Sequence, residues 1–593
     1  LGVPAKDKAC TRALAFMKPH GGVLGAPSWA KFWLTILGVY EYEGLQPLNP
    51  EVWILPRWVP FHPWRFWCHC RMVYLPMAYC YGARYVGPKT KLVEELRHEL
   101  YDGIGGYEGV EWASHRFHTC ELDYYQPLGR VMKISFTLLG IYENLPALPF
   151  VNIRERALNW LAELIDVEDE STNYIDIGPV NKAMNMVAIL SRHGADSERF
   201  KKHLARAQDY LWQSFDGMKM QGYNGSQLWD TAFMAQAMAA AVKGARAAQP
   251  SIAENERVNA SLIHAYQFID ISQVQRDVKK ADYYYRHQSD GAWPFSTEAH
   301  GWPIADCTSE GMKGALAVER LDVLPKSTKT ITLARYKKAI DVMLSLHNAD
   351  DGGWPTYELK RGDEWLELIN PAEVFARIMV DYSYCELTSA CVQGLAAFAK
   401  AGDEAKEYRR AEVEHAVARG TLFVKNRQRD DGSWYGSWAV CFTYAAWFGV
   451  EALVCRGEGS SDNVKRAVEF LLKKQNKDGG WGETWWSCLL GEYCSADSTP
   501  ECTGWALLAI LRAYEGGVVR DRPSLKTALL RGAKRAAECL IQLQLPNGDW
   551  KQGSAAGIFN GSCSINYGNY KNIFPIWALG EYARLVDGAA KPN

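Results

Sequence analysis

Residues 533–550 read AKRAAECLIQLQLPNGDW, a helix-like stretch that ends in a Gln, a turn and a Trp. Apolar residues recur in it at three- and four-residue steps, as they do on one face of an α-helix. The same period marks VKRAVEFLLKKQ (464–475) and SLIHAYQFIDIS (261–272), whereas strand-like alternation is scarce. The sequence therefore predicts an all-α protein.

The ends of these helices form an internal repeat. The offsets from an Arg to a Gln, a Gly and a Trp are identical in three copies, which begin at Arg419, Arg466 and Arg535; looser copies end at Trp354 and Trp293. The Gly permits a tight turn, the Gln amide can bond backbone groups at helix ends, and the Trp can stack over that amide. Helix pairs that must cover each other's apolar faces predict a closed α/α toroid, with an open helical solenoid as the alternative.

Chain length predicts more than one core. A chain of 593 residues exceeds the usual size of a single hydrophobic core. Residues 1–215 carry no clear copy of the repeat, so we predict one α/α-barrel domain over 1–215 and a second, with the repeats, over 216–593. The chain begins at Leu1 without a Met, and we expect an N-terminal part of the first domain to be missing.

Composition narrows the class of protein. A formal net charge of -2 gives no electrostatic footprint for nucleic acid. The 15 Cys show no C-x-x-C pairs, and Cys68 and Cys70 flank His69 without further ligands at metal-site spacing, so we predict reduced thiols and no metal. No apolar run reaches membrane-spanning length, although contact with one membrane face stays open. The 23 Trp, 30 Tyr and 20 Phe indicate either packing or cation handling.

One segment carries a candidate acid. HGWPIADCTSEGMKGAL (300–316) places Asp306 where a Pro-containing segment enters a helix, a position at which Asp is commonly an N-cap. As a general acid, an ordinary Asp costs about 4 kcal/mol at pH 7, because only about one in a thousand is protonated. Burial among aromatic rings reduces that cost. Glu310, one helical turn on, either relays a proton or is solvated.

These residues resemble a known family. Asp306-Cys307-Thr308-Ser309-Glu310 resembles the DCTAE motif of oxidosqualene cyclases, and the repeats resemble that family's QW motifs. The similarity runs from Leu1 past Phe574, through segments such as PSWAKFWL, FWCHCRMVYLPMAYCYG and NIFPIWALGEY. The resemblance implies a two-domain α/α-barrel enzyme without metal or organic cofactor. It also implies monotopic attachment to the cytosolic face of the endoplasmic reticulum or of lipid droplets.

The resemblance implies roles for individual residues. Asp306 would protonate the epoxide of (3S)-2,3-oxidosqualene. Rings that match the family's cation-stabilising positions would line the path of the moving charge, although core packing would explain each one as well; they are Trp67, Trp229, Phe295, Trp438 and Phe559. A carbocation needs about 2 kcal/mol of stabilisation per desolvated ring, without a lone pair that would trap it. His69 and Tyr357 match the residues that accept, or organise removal of, the last proton.

Three positions resemble one branch of the family. Cycloartenol-forming members have QGYNG and HGWPI where lanosterol-forming members have Thr in the first motif and Val before the catalytic Asp. This chain has Tyr223, His300 and Ile304, so we expect cycloartenol, with lanosterol or another triterpene as the alternative.

The chain departs from the family at one acid-activating position. The family places two Cys thiols against the catalytic Asp, the Cys of DCTAE and a second one in VECTSA. Cys307 supplies the first, but Leu387 stands where the second is expected. Cys385 lies two residues away, which puts it on a different helix face. The acid is therefore expected to depend on Cys307 and on burial.

Three other classes stay open at this stage. A zinc protein prenyltransferase subunit predicts bound zinc and a partner subunit. A barrel that cleaves or binds sugars predicts two carboxylates facing each other across a cleft. A non-catalytic lipid-binding homologue is compatible with Leu387. The sequence does not indicate an oligomeric state.

Overall fold

The chain forms two compact units. The computed structural model describes residues 3–4, 6–143, 152–214, 217–222, 224–248, 255–553, 555–559 and 563–587. The first unit consists of Leu1–Glu170, Asp176–Gln208 and Arg361–Val380, and the second consists of Ser171–Ile175, Asp209–Lys360 and Asp381–Asn593. Segment 361–380 thus packs with the first unit despite its late place in the chain. The predicted domain boundary near residue 215 stays a prediction.

The first unit is helical. Its α-helices are α1 (Lys8–Met17), α2 (Ser28–Ile36), α3 (Cys68–Ala83), α4 (Lys91–Tyr101), α5 (Arg130–Glu143), α6 (Ile153–Ser171), α7 (Pro179–His193) and α8 (Glu198–Arg206). Thr90 and Ser197 accept backbone N–H bonds at the starts of α4 and α8, as capping residues do. Helix α7 packs between α3 and α8.

A buried ionic cluster joins α6, α7 and α8. His203 Nε2 lies 3.1 Å from an oxygen of Asp169, and its Nδ1 lies 3.5 Å from an oxygen of Asp176 and 2.9 Å from the ammonium of Lys182. Burial lowers the pKa of His203, but its bonds to the two carboxylates outweigh this effect and raise it to about 9. The Asp and His donors are close enough to surround a cation. Lys182 already brings a positive charge to them.

We expect this cluster to depend on Lys182. Lys182→Met keeps the length of the side chain but removes a buried charge, and it should lower the free energy of unfolding by about 3–5 kcal/mol, measured by urea denaturation. Because the pKa of folded His203 lies above its unfolded value, the part of the stability that His203 contributes should be fully present below pH 6.5 and be lost as the pH rises to about 9. The exposed Lys91→Met is the control and should change stability by less than about 0.5 kcal/mol.

The second unit contains most of the remaining helices. They are α9 (Gln227–Ala248), α10 (Glu256–Ser272), α11 (Ala305–Glu319), α12 (Leu333–Ser345), α13 (Cys385–Phe398), α14 (Asp403–Glu407), α15 (Arg410–Asn426), α16 (Phe442–Cys455), α17 (Asp462–Lys474), α18 (Trp486–Leu490), α19 (Pro500–Glu515), α20 (Pro523–Leu543) and α21 (Tyr570–Tyr582). A π-helical turn, Ala583–Asp587, follows α21. Two antiparallel hairpins pair β1 (Leu211–Ser214) with β2 (Gly217–Met220) and β3 (Gly557–Phe559) with β4 (Cys563–Ile565).

Six helices of this unit form a closed inner ring. Each of α9, α11, α13, α16, α19 and α21 packs on the next, and α21 returns to α9. Helices α10, α12, α15, α17 and α20 pack outside them, so the predicted toroid is confirmed here and the open solenoid is wrong. The apolar run at 438–450 largely becomes α16, which is buried on nearly all sides. In the described part of the chain, every helix is too short or too polar to cross a bilayer.

The repeat motif connects successive helix pairs. The Gln428 amide donates to the carbonyl of Gly432 at 2.9 Å and to that of Asn463, in the next repeat, at 2.8 Å. Arg466 of that next repeat donates back to the Gln428 oxygen at 2.7 Å. Gly432 has φ +89°, and a Cβ there would collide with the Arg466 carbonyl, so only glycine fits. The predicted role of the Gln is confirmed.

The Trp of each repeat also makes a hydrogen bond that the prediction did not include, while its stack over the Gln stays a prediction. The Trp434 indole N–H donates to the Val424 carbonyl at 2.8 Å, ten residues earlier in the preceding helix. Its ring lies against Gly449 of α16, where a Cβ would approach to 2.7 Å. The Trp therefore fixes the helix end and the distance to the neighbouring inner helix.

Candidate active site

Asp306 occupies the second residue of inner helix α11. The helix begins at Ala305, and the capping position belongs to Ile304. Asp306 Oδ1 accepts the N–H of Cys307 at 2.9 Å. The N-cap interpretation of Asp306 is therefore wrong, and its carboxyl is available for chemistry.

The surroundings of Asp306 favour its neutral form. Burial raises its pKa to about 7, opposed by the Cys307 N–H and reinforced by the charges of Glu310 and Glu386. Its side chain keeps some accessible surface at the start of α11. At pH 7 about half of such carboxyls hold a proton, so the cost of using this one as an acid falls below about 1 kcal/mol.

Thiols lie beside this acid. A hydrogen bond links Cys307 to Asp306, and burial with the nearby carboxyls raises the pKa of the Cys307 thiol far above its usual value. Leu387 is buried on α13, as expected for an apolar side chain at that position. Cys391 lies one turn after Leu387 on the same face, and burial together with the charges of Asp306 and Glu310 raises the pKa of its thiol. Sequence reasoning missed Cys391 because it considered only the family's position.

Glu310 is buried, and each of its carboxylate oxygens has a polar partner. One carboxylate oxygen pairs with Lys313 Nζ at 2.8 Å, and the other accepts the Gln236 amide at 2.8 Å. Lys313 also donates to the Gln393 amide oxygen at 2.8 Å. The solvated interpretation of Glu310 is wrong, because its side chain has no exposed surface. A relay role stays a prediction.

A first group of rings surrounds Trp229 on inner helix α9. Trp229 and Phe295 stack with ring centroids 5.7 Å apart. The Trp229 indole N–H donates to the hydroxyl of Tyr570 at 2.6 Å, and Tyr570 stacks on Tyr567 at 4.4 Å. Burial raises the pKa of Tyr567, and the charge of Asp306 raises it further. Tyr567 is therefore within electrostatic range of the acid.

A second group of rings surrounds Trp438. Phe559 lies 4.5 Å from Trp438 and Tyr384 lies 5.7 Å from it, centroid to centroid. Gly557, two residues before Phe559, lies against both the Trp438 carbonyl and the Tyr567 ring, where a Cβ would approach to 2.8 and 2.9 Å. Gly557 thus brings the main chain of the second group close to a ring of the first, and the two groups together are called the aromatic wall below. Sequence reasoning missed Tyr384, Tyr567 and Tyr570, because no pattern in the sequence marks which aromatic residues converge.

Tyr357 is held near the start of α11. Its segment is tied to Asp381, whose carboxylate accepts the N–H groups of Thr356 and Tyr357, each at 3.0 Å. The Thr356 carbonyl in turn accepts the N–H of Ala305, the residue before Asp306, at 3.0 Å. The predicted acid and the predicted Tyr therefore share one hydrogen-bonded framework.

Two of the three branch positions are buried just before or at the start of α11. His300 is fully buried, and its Nε2 lies 2.7 Å from the Asn224 amide nitrogen. Ile304 is buried at the start of α11, where its carbonyl accepts the Thr308 hydroxyl at 2.7 Å. Tyr223 lies outside the described residues.

Trp67 and His69 belong to the first unit. Trp67 precedes α3, and its N–H donates to the Met379 carbonyl at 2.8 Å. The ring of His69, in the first turn of α3, meets the Trp67 ring edge-on at 4.8 Å. The catalytic roles suggested for both residues stay predictions.

The site combines two chemical capabilities. A carboxyl that is neutral near pH 7 can donate a proton to a weakly basic oxygen or to a double bond. Rings without acidic or nucleophilic atoms at their faces can stabilise a positive charge that develops in an enclosed, apolar space. Together these groups suit acid-initiated carbocation chemistry on an apolar molecule.

Comparison with known proteins identifies the same family that the sequence motifs resemble. Residues 1–215 match the squalene-hopene cyclase N-terminal domain, and residues 225–584 match the squalene-hopene cyclase C-terminal domain. The chain is 45% identical to cycloartenol synthase of Dictyostelium discoideum over 99% of its length and 78% of that protein. It is 43% identical to lanosterol synthase of Mus musculus over 99% of its length and 76% of that protein.

Among solved structures, ent-copalyl diphosphate synthase from Streptomyces platensis matches over 98% of this chain and 99% of that chain, at a TM-score of 0.41 and 14% identity. The assignment to a family rests on the two domain matches and on the two relatives, because together they cover nearly the whole chain. The prediction of an all-α protein with α/α-barrel domains is confirmed. The chain is an enzyme of the oxidosqualene cyclase family, the triterpene cyclases that include the cycloartenol and lanosterol synthases.

Proposed function

We propose that this enzyme converts (3S)-2,3-oxidosqualene into cycloartenol. The observation that carries the proposal is the enclosed Asp306 carboxyl, whose pKa burial raises to about 7, in the same unit as the two groups of aromatic rings. Asp306 donates its proton to the epoxide oxygen, and the C–O bond opens. The double bonds of the substrate then attack the resulting cation one after another. Loss of a proton from the last cation returns the proton count to its starting value, so the reaction is an isomerisation.

The choice of cycloartenol has its own support. His300 and Ile304 are the branch residues typical of cycloartenol-forming members, and the 45% identical relative is named a cycloartenol synthase. A bulky Ile304 next to the acid restricts how the substrate can settle, and a base that removes the final proton selects among C–H bonds only a few ångströms apart. Lanosterol is the second candidate, because relatives named lanosterol synthases are nearly as similar.

The test is one incubation. Purified full chain in detergent receives (3S)-2,3-oxidosqualene, and the extract is analysed by gas chromatography and mass spectrometry. Cycloartenol as the main product supports the proposal. Lanosterol or another cyclised triterpene would contradict the product and keep the class of reaction. Unchanged substrate, with correctly folded protein, would contradict the function.

The acid should impose a pH dependence on turnover. Catalysis needs the protonated form of Asp306, whose pKa is raised by burial to about 7. We therefore expect kcat to be constant at low pH and to fall about tenfold per unit once the pH rises above 7. A profile that stays flat to pH 9 would show that Asp306 ionisation does not limit the reaction.

We further propose that the outer face of α5 binds a membrane surface. The helix turns apolar residues toward solvent at helical spacing: Val131, Ile134, Leu138 and Ile141 are 54–61% exposed. Arg130 and Lys133 are exposed beside them and favour anionic head groups. The proposed substrate is a long hydrocarbon that dissolves in lipid rather than in water, so an enzyme that uses it gains from contact with the bilayer.

This membrane proposal predicts the effect of a charge on α5. Leu138→Glu should reduce binding to vesicles of phosphatidylcholine and phosphatidylserine at least about tenfold in a flotation assay, because a charged group in the apolar interface is costly. Ile541→Glu is the matched control, since Ile541 on α20 is equally exposed at 61%. Equal binding by wild type and both variants would contradict the role of α5.

A further inference from the structure

A buried carboxylate accepts hydrogen bonds from the main chain at Trp438, a ring of the aromatic wall. Glu386, in the first turn of α13, is 2% exposed. Its Oε1 accepts the N–H groups of Ser437 at 2.6 Å and Trp438 at 2.9 Å. Tyr384, two residues before Glu386, contacts the Trp438 ring at the same time. Trp438 is thus held by its backbone and by its ring from one turn of α13.

The segment that carries Trp438 has no regular secondary structure. Residues 435–441 belong to neither helix nor strand, so their N–H groups lack the regular partners that fix a secondary-structure element. Val440 adds one bond, from its N–H to the Ala556 carbonyl at 3.2 Å. The two bonds to Glu386 act on the main chain directly at Trp438 and at the residue before it, so they anchor the residue that carries the ring.

We propose that Glu386 is a positioning residue of the cyclase, which fixes Trp438 so that its ring faces the developing cation beside Phe559. The proposal rests on the proposed cyclisation of oxidosqualene. Stabilisation of a cation by a ring depends strongly on distance, and a displacement of about 1 Å can cost about a hundredfold in rate. A loosened Trp438 should therefore slow the cascade and let it end early.

The same carboxylate also acts on the acid. Burial raises the pKa of Glu386 on balance, although its bonds to the 437–438 main chain oppose this shift. Its charge is among the causes that raise the pKa of Asp306. Helix α13 packs against α11, which carries Asp306, so one side chain serves the acid and the wall from neighbouring inner helices.

The next repeat provides a matched control. Glu483 is equally buried and accepts the N–H groups of Phe442 at 3.1 Å and Thr443 at 2.8 Å, together with the Thr443 hydroxyl at 2.8 Å. It fixes the start of α16 in the way that Glu386 fixes 437–438. The ring of Phe442 packs instead on Tyr435, Phe470 and Tyr493, none of which belongs to the aromatic wall.

The experiment compares Glu386→Gln, Glu386→Asp and Glu483→Gln with wild type. The Gln variant keeps the shape of the side chain without its charge, and the Asp variant keeps the charge but withdraws the oxygens by one methylene, about 1.5 Å. Both Glu386 variants should lower kcat ~10- to 100-fold with KM within about twofold, and they should raise the share of incompletely cyclised products. Glu483→Gln should keep the wild-type product ratio.

A second readout does not depend on turnover. Hydrogen exchange at the Ser437 and Trp438 amides should accelerate at least about tenfold in the Glu386→Asp variant and stay at the wild-type rate in Glu483→Gln. Wild-type products and kcat in both Glu386 variants, or the same product change in Glu483→Gln, would overturn the proposal. Failure of wild type to cyclise oxidosqualene would refute the proposed function. Unchanged exchange at 437–438 would refute the anchoring itself.

Discussion

Asp306→Asn is expected to reduce turnover of oxidosqualene by more than about 10⁴-fold, because the amide has no proton to give to the epoxide. The change is nearly isosteric, and the N–H of Cys307 can still bond the amide oxygen, so the fold should persist. Turnover is measured by product formation, and folding by the thermal midpoint and circular dichroism.

A matched variant separates acid chemistry from the loss of a buried carboxyl. Glu501, in the first turn of α19, is also buried, and burial raises its pKa to about 7 as it does for Asp306. Glu501→Gln should keep turnover within about threefold of wild type. Substantial activity in Asp306→Asn would remove Asp306 as the acid, and equal losses in both variants would point to a general effect on folding.

Trp229→Leu is expected to lower kcat about 30-fold and to release products in which the cascade has stopped early. Leu keeps an apolar side chain of moderate size but has no π-face, so about 2 kcal/mol of cation stabilisation is lost. The measurement is product analysis with kcat and KM for each variant.

Trp229→Phe is the control for this site. Phe keeps a ring opposite Phe295 and gives up only the indole N–H that bonds Tyr570. It should retain most of the activity and most of the full-length product. If Leu and Phe behave alike, Trp229 contributes through packing or through its bond to Tyr570, and not through its ring.

The fold was largely predictable because its signals are local and repeated. Helical periodicity and identical Arg-to-Trp offsets identify the helix pairs, and the Gln428–Arg466 bonds bear out a link between repeats. The use of the Trp N–H was missed, since spacing alone does not distinguish a stack from a hydrogen bond to a carbonyl ten residues earlier. The placement of 361–380 with the first unit is also non-local.

The site was predictable where it lies in a motif. Asp306 was identified from its own segment and Tyr357 through the family resemblance, yet the bond from Ala305 to Thr356 that joins their segments spans 51 residues of chain and leaves no trace in either motif. Cys391 and Glu386 were missed for the same reason. Their importance comes from which face of α13 turns toward α11, and this becomes visible only when the inner helices are placed side by side.

The return of α21 to α9 has a consequence for biosynthesis. Helix α9 is made well before α21, yet each packs against the other. Until α21 has been synthesised, α9 and α19 each expose an apolar surface that promotes association with other nascent chains. The barrel cannot close until α21 has been made. A premature stop before residue 570 should therefore yield insoluble protein rather than a smaller working enzyme.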